Sequence, residues 1–275
     1  MMTRNDTVLW EKDENLGYLT LNRPEKLNAI SVGMMRAFDE VLDEAEGDDT
    51  VRVVIIRGAG RCFSAGYDLS PGAEGRSGHR DTVDDLDGLR WRIERWLRIW
   101  DFPKPVIAQV HGFCLAGATQ LCVMTDLTIV AEDARIGLPS IPVGGGFITP
   151  MWTWLVGPKR AKEMSFIPGS QIDGRTASDW GFANRAVPAA HLEADVRETA
   201  RRIAVVPAKI LKLKKQSVNR TLDVQGFRTA VMLGAETDAI LHASAPVERL
   251  SAMIRDSGLK GAIDRFNRGD LGSGG

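Results

Sequence analysis

Three runs, VRVVIIR at 51–57, KPVIAQV at 104–110 and DLTIVA at 126–131, lack the strict apolar–polar alternation of a half-exposed strand. A strand that is apolar on both faces must be covered on both faces, and helices do that for a parallel sheet. Helical patterns fill the intervals. Ser31 is an N-cap candidate for a helix to about Glu46, with Met34, Met35, Phe38, Val41, Leu42 and Ala45 as its apolar stripe. A second helix beginning near Thr82 places Leu86, Leu89, Ile93, Trp96, Leu97 and Trp100 at helical spacing and stops before Pro103. Segments 7–10 and 17–21 read as a hairpin ahead of these units. The alternation predicts an α/β chain of stacked βαβ-type units with right-handed crossovers.

After Pro188 the strand signals end, and 191–204, 208–219, 225–244 and 246–256 read as helices. The expected organisation is an α/β core over residues 1–200, a helical region over 201–268 and a disordered tail at 269–275. One of these helices carries Lys209, Lys212, Lys214, Lys215 and Arg220, either as a solvated face or as a surface for the phosphates of a nucleotide-bearing ligand. The stretch 70–81 (SPGAEGRSGHRD) reads as a loop placed where a lid could lie.

The net charge of −1, with both signs interspersed, gives no global field for nucleic acid or an anionic membrane. The N-terminal residues lack an apolar signal region, and the apolar stretch 121–131 is too short to span a bilayer and is interrupted by Asp126. Cys62, Cys114 and Cys122 are odd in number and lack metal-ligand spacing, so the expectation is a cytoplasmic protein with structural thiols. The four histidines are scattered, and no metal site is expected.

Two segments combine small residues with a position just after a strand. The first is CFSAGYDL at 62–69; the second is HGFCLAGATQ at 111–120, where a helix opens and aims unpaired N–H groups at whatever lies in front of it. A dinucleotide fingerprint starting at Gly58 and Gly60 fails, because Phe63 stands where close helix packing needs a small residue.

These segments, with NRPEKLNA at 22–29, the continuation of the second segment to IGLP at 136–139, and GPKRAKEMSFIPG and WGFANRAVP between 157 and 188, resemble the crotonase (enoyl-CoA hydratase/isomerase) superfamily. The resemblance covers about residues 7 to 260, in several ordered motifs. It implies a spiral of ββα repeats with a helical C-terminal region that forms trimers, often two of them stacked. It also implies an acyl-CoA substrate, as in fatty-acid metabolism, with no cofactor beyond the coenzyme A the substrate carries. By the same resemblance the backbone N–H groups of Tyr67 and Gly117 form an oxyanion hole for the thioester carbonyl. The backbone of Ala65, Gly66, Tyr67, Asp68 and Leu69 would hold coenzyme A, and Lys26 and Leu27 would line its entrance; a surface lysine in a turn is the plainer account of Lys26.

Two positions depart from the pattern. Where hydratases of this superfamily carry two glutamates, this chain has Gln120 and Ser140. A glutamine cannot take a proton near neutral pH, and a serine without an adjacent base is a poor acid or base, so ordinary hydration is not expected. Remaining acid–base candidates are Asp68, His79, Glu132 and Asp133, each with a plainer account: a carboxylate capping nearby N–H groups, a loop histidine, an exposed turn. His111 reads as a packed histidine, and Trp152 and Trp154 as walls of the acyl pocket or of a subunit contact. Three outcomes stay open: a hydratase/isomerase-type enzyme, a hydrolase, decarboxylase or isomerase with another acid or base, and a CoA-ester-binding protein without turnover.

Overall fold

The computed structural model describes residues 6–70, 81–144 and 149–270. The elements run β1 (Val8–Asp13), β2 (Leu16–Leu21), α1 (Val32–Gly47), β3 (Val53–Gly58), α2 (Thr82–Asp101), β4 (Val106–Val110), β5 (Phe113–Leu115), α3 (Gly117–Met124), β6 (Leu127–Ala131) and β7 (Arg135–Gly137). They continue with α4 (Thr149–Phe166), β8 (Gln171–Asp173), α5 (Gly174–Trp180), β9 (Arg185–Val187), α6 (Leu192–Ala204), α7 (Ala208–Val224), α8 (Phe227–His242) and α9 (Ala245–Asn267).

One sheet has the order β1-β2-β3-β4-β6-β9, and every pairing after the β1–β2 hairpin is parallel. A second sheet, β5-β7-β8, lies beside it. The link between the two explains the architecture. Each time the chain leaves a long parallel strand it lays down a short extended piece before its helix: Ile30, then Ser64 to Tyr67, then β5, then β7. Bridges Ile30–Tyr67 and Ser64–Cys114 and the β5–β7 pairing join these pieces in sequence. The chain is therefore a ββα spiral.

β3 and β4 are buried almost throughout, as strands covered on both faces must be. α1 begins as its sequence predicts: the Ser31 side chain accepts from the Met34 amide at 3.1 Å, and all six stripe residues are buried. Asp81 caps α2, accepting from Val83 and Asp84, and α2 ends with Phe102 as its C-cap. The short strands β5, β7, β8 and β9 and the helices α4 and α5 go beyond the sequence reading. Strands of three residues carry too little pattern to register as such.

α6 spans the point where the helical region was expected to begin. α9 runs past the expected 256 to Asn267, broken at Gly258, whose φ of 68° no regular helix contains. The basic stripe on α7 is corrected at one position. Lys209, Lys212, Lys214 and Arg220 are exposed, whereas the side chain of Lys215 is buried. Its ammonium donates to the carbonyls of Ile99 (3.0 Å) and Lys104 (3.4 Å) and pairs with Asp126 at 2.8 Å. Burial pushes the Lys215 ammonium down and the Asp126 carboxyl up from their ordinary values, and each partner's charge opposes that push. Lys215 thus ties α7 to the end of α2 and the start of β4.

Among the described residues no helix is long and apolar enough to cross a membrane. The proposed lid at 70–81 and the tail lie mostly outside the described residues, His79 included.

Candidate active site

Two stretches of backbone meet where the spiral crosses itself. Ser64 receives the Leu115 amide on its carbonyl (3.1 Å) and donates its own amide to Phe113 (2.9 Å). The 64–68 stretch is fastened on its other side by Ala65 N to Leu27 O (2.9 Å), Ile30 N to Gly66 O (2.8 Å) and Asp68 N to Ile30 O (3.0 Å). Asn28 braces this side. It is fully buried, accepts from the Arg23 amide, and donates to the carbonyls of Ala59 and Cys62, each at 2.9 Å.

The approach is too close for side chains. A Cβ at Gly66 would stand 2.6 Å from the Leu115 carbonyl oxygen and 3.1 Å from the Gly117 nitrogen, and φ there is +92°. A Cβ at Gly117 would stand 2.6 Å from the Tyr67 ring. The glycines at 66 and 117 are what let the two strand-to-helix passages abut.

Gly117 is the first residue of α3, where the helix itself offers its N–H no acceptor. The turn into α3 is made by Ala116 at φ 50°, ψ −120°. Among the described residues the non-glycine positions with positive φ are Glu14, Leu27, Asn28 and Ala116, and the last three border this crossing. Left-handed backbone costs an alanine or leucine about 1–2 kcal/mol, so its concentration here marks a place held in shape by its surroundings.

The Tyr67 ring lies over Gly117, and its hydroxyl donates to Gln120 Oε1 at 2.5 Å and accepts from Trp96 Nε1 at 2.8 Å. Burial pushes the phenol's pKa far up; the Trp96 bond and the charge of Arg92 oppose this, and Asp238 adds to it. A phenol so placed stays protonated and acts as a hydrogen-bond donor, never as a base. Gln120 is fully buried on α3, so the residue at the first departure position faces the protein's interior polar network. Its neighbour Thr119 accepts from Trp152 Nε1 at 2.9 Å, and Trp152 stacks on Phe182. Trp154 meets Phe227 edge-on.

Asp68 has the capping role. It pairs with Arg23 at 2.9 Å, lies 4.0 Å from Lys26 Nζ, and accepts from the Ser70 amide at 2.9 Å. Burial raises its pKa, but the bonds from Ser70 and Arg23 outweigh that and hold the carboxyl at about 2. A carboxylate so stabilised is a poor proton acceptor. Glu132 pairs with Arg175 and Asp133 is exposed, both in a surface turn. His111 is half-buried and bonds through Nε2 to the Gly60 carbonyl at 2.9 Å. Ser140 follows β7 in a loop and lies against Gly169.

The structure brings together Gly66, Tyr67, Gly117 and Gln120, sets Leu27 against Ala65, and joins Lys26 to Asp68. It also reveals Trp96, Arg23 and Asn28, which sequence reading used only as helix stripe or motif. Cys114 and Cys122 flank Gly117 in the chain, and their sulfurs lie 3.6 Å apart in the core, unoxidised.

The fold is a ββα spiral whose strand-to-helix passages abut at Gly66 and Gly117, the latter at the start of α3. The family model described as Enoyl-CoA hydratase/isomerase matches residues 11–241, and the chain belongs to that family. A solved enoyl-CoA hydratase/isomerase from Xanthobacter autotrophicus Py2 superposes with a TM-score of 0.88 at 35% identity, covering 95% of this chain and 98% of that one. The short-chain-enoyl-CoA hydratase of Clostridium acetobutylicum is 32% identical over 224 residues, 78% of this chain and 82% of its own length. The 1,2-epoxyphenylacetyl-CoA isomerase of Escherichia coli is 32% identical over 236 residues, 79% of this chain and 85% of its own.

Proposed function

We propose that the chain transforms an acyl-CoA thioester through an enolate whose oxygen is received by the N–H groups of Tyr67 and Gly117. The observation that carries this reading is the abutment at Gly66 and Gly117, which sets the two passages within van der Waals reach. One preorganised donor at a developing oxyanion is worth about 10²–10³ in rate, so a pair supplies much of what such a reaction needs. Coenzyme A runs along Ala65, Gly66, Tyr67, Asp68 and Leu69, and enters past Lys26 and Leu27. Lys26 is exposed and shares Asp68 with Arg23, so its ammonium is placed at a positive mouth suited to phosphates.

Ordinary hydration does not fit the two departure positions. Gln120 Oε1 already takes the Tyr67 hydroxyl, and neither Gln120 nor Ser140 can act as a base. Lyase chemistry of the hydration type is therefore the weaker reading, and isomerisation, decarboxylation or hydrolysis through another acid or base the stronger. A non-catalytic CoA-ester-binding role is favoured by one observation, the occupation of both departure positions by residues that do not titrate near neutrality.

Acetoacetyl-CoA tests the hole, because its enolate carries the negative oxygen the two N–H groups would receive. Binding should raise its enolate absorption. An acetoacetyl-CoA that does not bind, or binds with no spectral change, overturns the reading. Crotonyl-CoA should keep its conjugated absorption in the presence of the enzyme, and rapid loss would restore the hydratase assignment.

The unpaired cysteines suit a reducing cytoplasm. Exposed Ile210, Leu213, Val218, Val224 and Ile240 on α7 and α8 support assembly into a trimer or a dimer of trimers. Light scattering on the purified protein decides between these and a monomer.

A further inference from the structure

Tyr67 enters the crossing twice. Its main chain bridges to Ile30. Its ring covers Gly117, where a Cβ would stand 2.6, 2.7 and 2.9 Å from ring atoms Cε2, Cδ2 and Cζ. The ring therefore fills the volume that a side chain at 117 would claim. Gln120 lies one turn farther along α3, on the same side of that helix as Gly117, and its Oε1 accepts from the ring's hydroxyl at 2.5 Å. One residue thus belongs by its main chain to one strand-to-helix passage and rests its side chain on the first turn of the helix that follows the other.

The direction of both hydroxyl bonds is fixed. An indole N–H can only donate, so the phenol oxygen accepts from Trp96 Nε1 at 2.8 Å and its one proton goes to Gln120. Trp96 is buried on α2 and meets buried Phe38 of α1 edge-on, with ring centroids 5.9 Å apart. One turn earlier on α2, the Arg92 guanidinium lies 5.9 Å from the centre of the Tyr67 ring. At the other end Gln120 is fully buried, and its neighbour Thr119 is tied to α4 by Trp152 Nε1 at 2.9 Å. The sequence of donors from Trp96 through Tyr67 to Gln120 is a strut between α2 and α3 that passes over Gly117. Buried hydrogen-bond chains of this kind polarise one another and favour a single arrangement.

We propose that this Trp96–Tyr67–Gln120 strut sets the spacing of the Tyr67 and Gly117 N–H groups, so that Gln120, at the first departure position, works by holding the phenol and not by meeting water or the acyl carbons. This rests on the oxyanion reading given above. The side chains of Tyr67, Trp96 and Gln120 are positioning residues, acting on a ligand through the main chain at 67 and 117. The need for a strut is local. Gly66 at φ +92°, Ala116 at φ 50° and Gly117 make the two turns and their close approach, and glycine is the residue with the most backbone freedom to restrain. A pair of donors helps a developing oxyanion to the extent that it is already in place when the charge appears. The Tyr67 ring gives position 117 a packed neighbour while leaving the residue itself without a side chain.

A double-mutant cycle on ligand binding tests it. The full-length protein is titrated with acetoacetyl-CoA, followed by its enolate absorption, and with S-butyl-CoA, a thioether that carries the same coenzyme but no carbonyl oxygen. The ratio of the two affinities isolates what the donor pair contributes. Tyr67→Phe removes the hydroxyl and both of its bonds while keeping the ring over Gly117; Gln120→Met removes the acceptor at similar volume. Each should lower the preference for acetoacetyl-CoA about tenfold, the scale expected when a donor is displaced but not lost. The enolate absorption per bound ligand should fall with it, and the thioether affinity should hold. Because the two side chains act through one bond, Tyr67→Phe/Gln120→Met should lose no more than the worse single variant. A double variant that loses the product of the two, about a hundredfold, would mean that Gln120 meets the ligand independently, and overturns the proposal. Single variants with the wild-type preference overturn it as well, including the case in which the melting temperature falls or both ligands weaken alike, since that is what bonds of purely structural value would give. Should one single variant fail to fold, the other decides by its preference alone. A wild type that binds both ligands equally, with no enolate absorption, would instead remove the oxyanion reading on which the strut depends.

Discussion

At Lys215 the strong hydrogen-bonding groups are consumed by the protein: the ammonium satisfies two carbonyls and a carboxylate, and Asp126 also takes the Val106 amide at 2.7 Å. Around Tyr67 the same materials are arranged differently. Polar side chains bond one another, but glycine stands at 66 and 117 where side chains would otherwise fill the space, and the adjoining turns are held in left-handed conformations. The first centre closes on itself and fastens helices to the sheet. The second brings two stretches of main chain into close approach, at a cost in strain that the surrounding bonds offset.

The contrast is broken most sharply at Lys215. Lys215→Ala leaves Asp126 buried without its cation and should cost about 3–5 kcal/mol in urea unfolding, while Lys215→Met should cost less because the volume is kept. Neither should change the rate per folded molecule. A Lys215→Ala protein within about 1 kcal/mol of wild type would remove the distinction between the two centres. At the other centre Gly117→Ala puts a methyl into the Tyr67 ring and should lower enolate formation from a CoA ester about 10²-fold, with Gly117→Ala/Tyr67→Ala recovering part of the loss.

Asp68 tests how far the mouth of the site is structural. Its folded pKa of about 2 lies below the ordinary 3.8, so it contributes about 2 kcal/mol that is present above about pH 4 and lost as the pH falls through 2. Asp68→Asn should be less stable by that amount at pH 7, and the two proteins should converge in urea titrations near pH 2. The smallest effect belongs to the exposed basic face of α7: Lys212→Ala should change stability by no more than about 0.5 kcal/mol. A weaker affinity for CoA esters in that variant would revive the phosphate-binding account of the stripe.

Much of the fold is legible in the sequence because its strongest signals are energetic ones. The buried runs at 51–57, 104–110 and 126–131 became β3, β4 and β6, and Ser31 capped the helix it was expected to cap. The second sheet was not legible: β5, β7 and β8 exist because the spiral lays three-residue pieces side by side, a relation between distant segments that local pattern does not encode. At the site the same division holds. The glycines and small residues of the two motifs mark close backbone approach. The ring of Tyr67, by contrast, could be assigned a place only once α2 supplied Trp96 and α3 supplied Gln120. Lys215 misleads from sequence for a related reason, since one lysine in a stripe of five basic residues looks like the others until Asp126 is brought beneath it.

The paired sulfurs of Cys114 and Cys122 give the helix start at Gly117 a built-in reporter. Burial pushes the Cys114 thiol well above its ordinary value, so a thiol reagent meets little thiolate while β5 and α3 remain docked. The labelling rate of these two cysteines therefore clocks how often that corner of the molecule opens. A ligand that tightens the crossing should slow the clock before any product is formed.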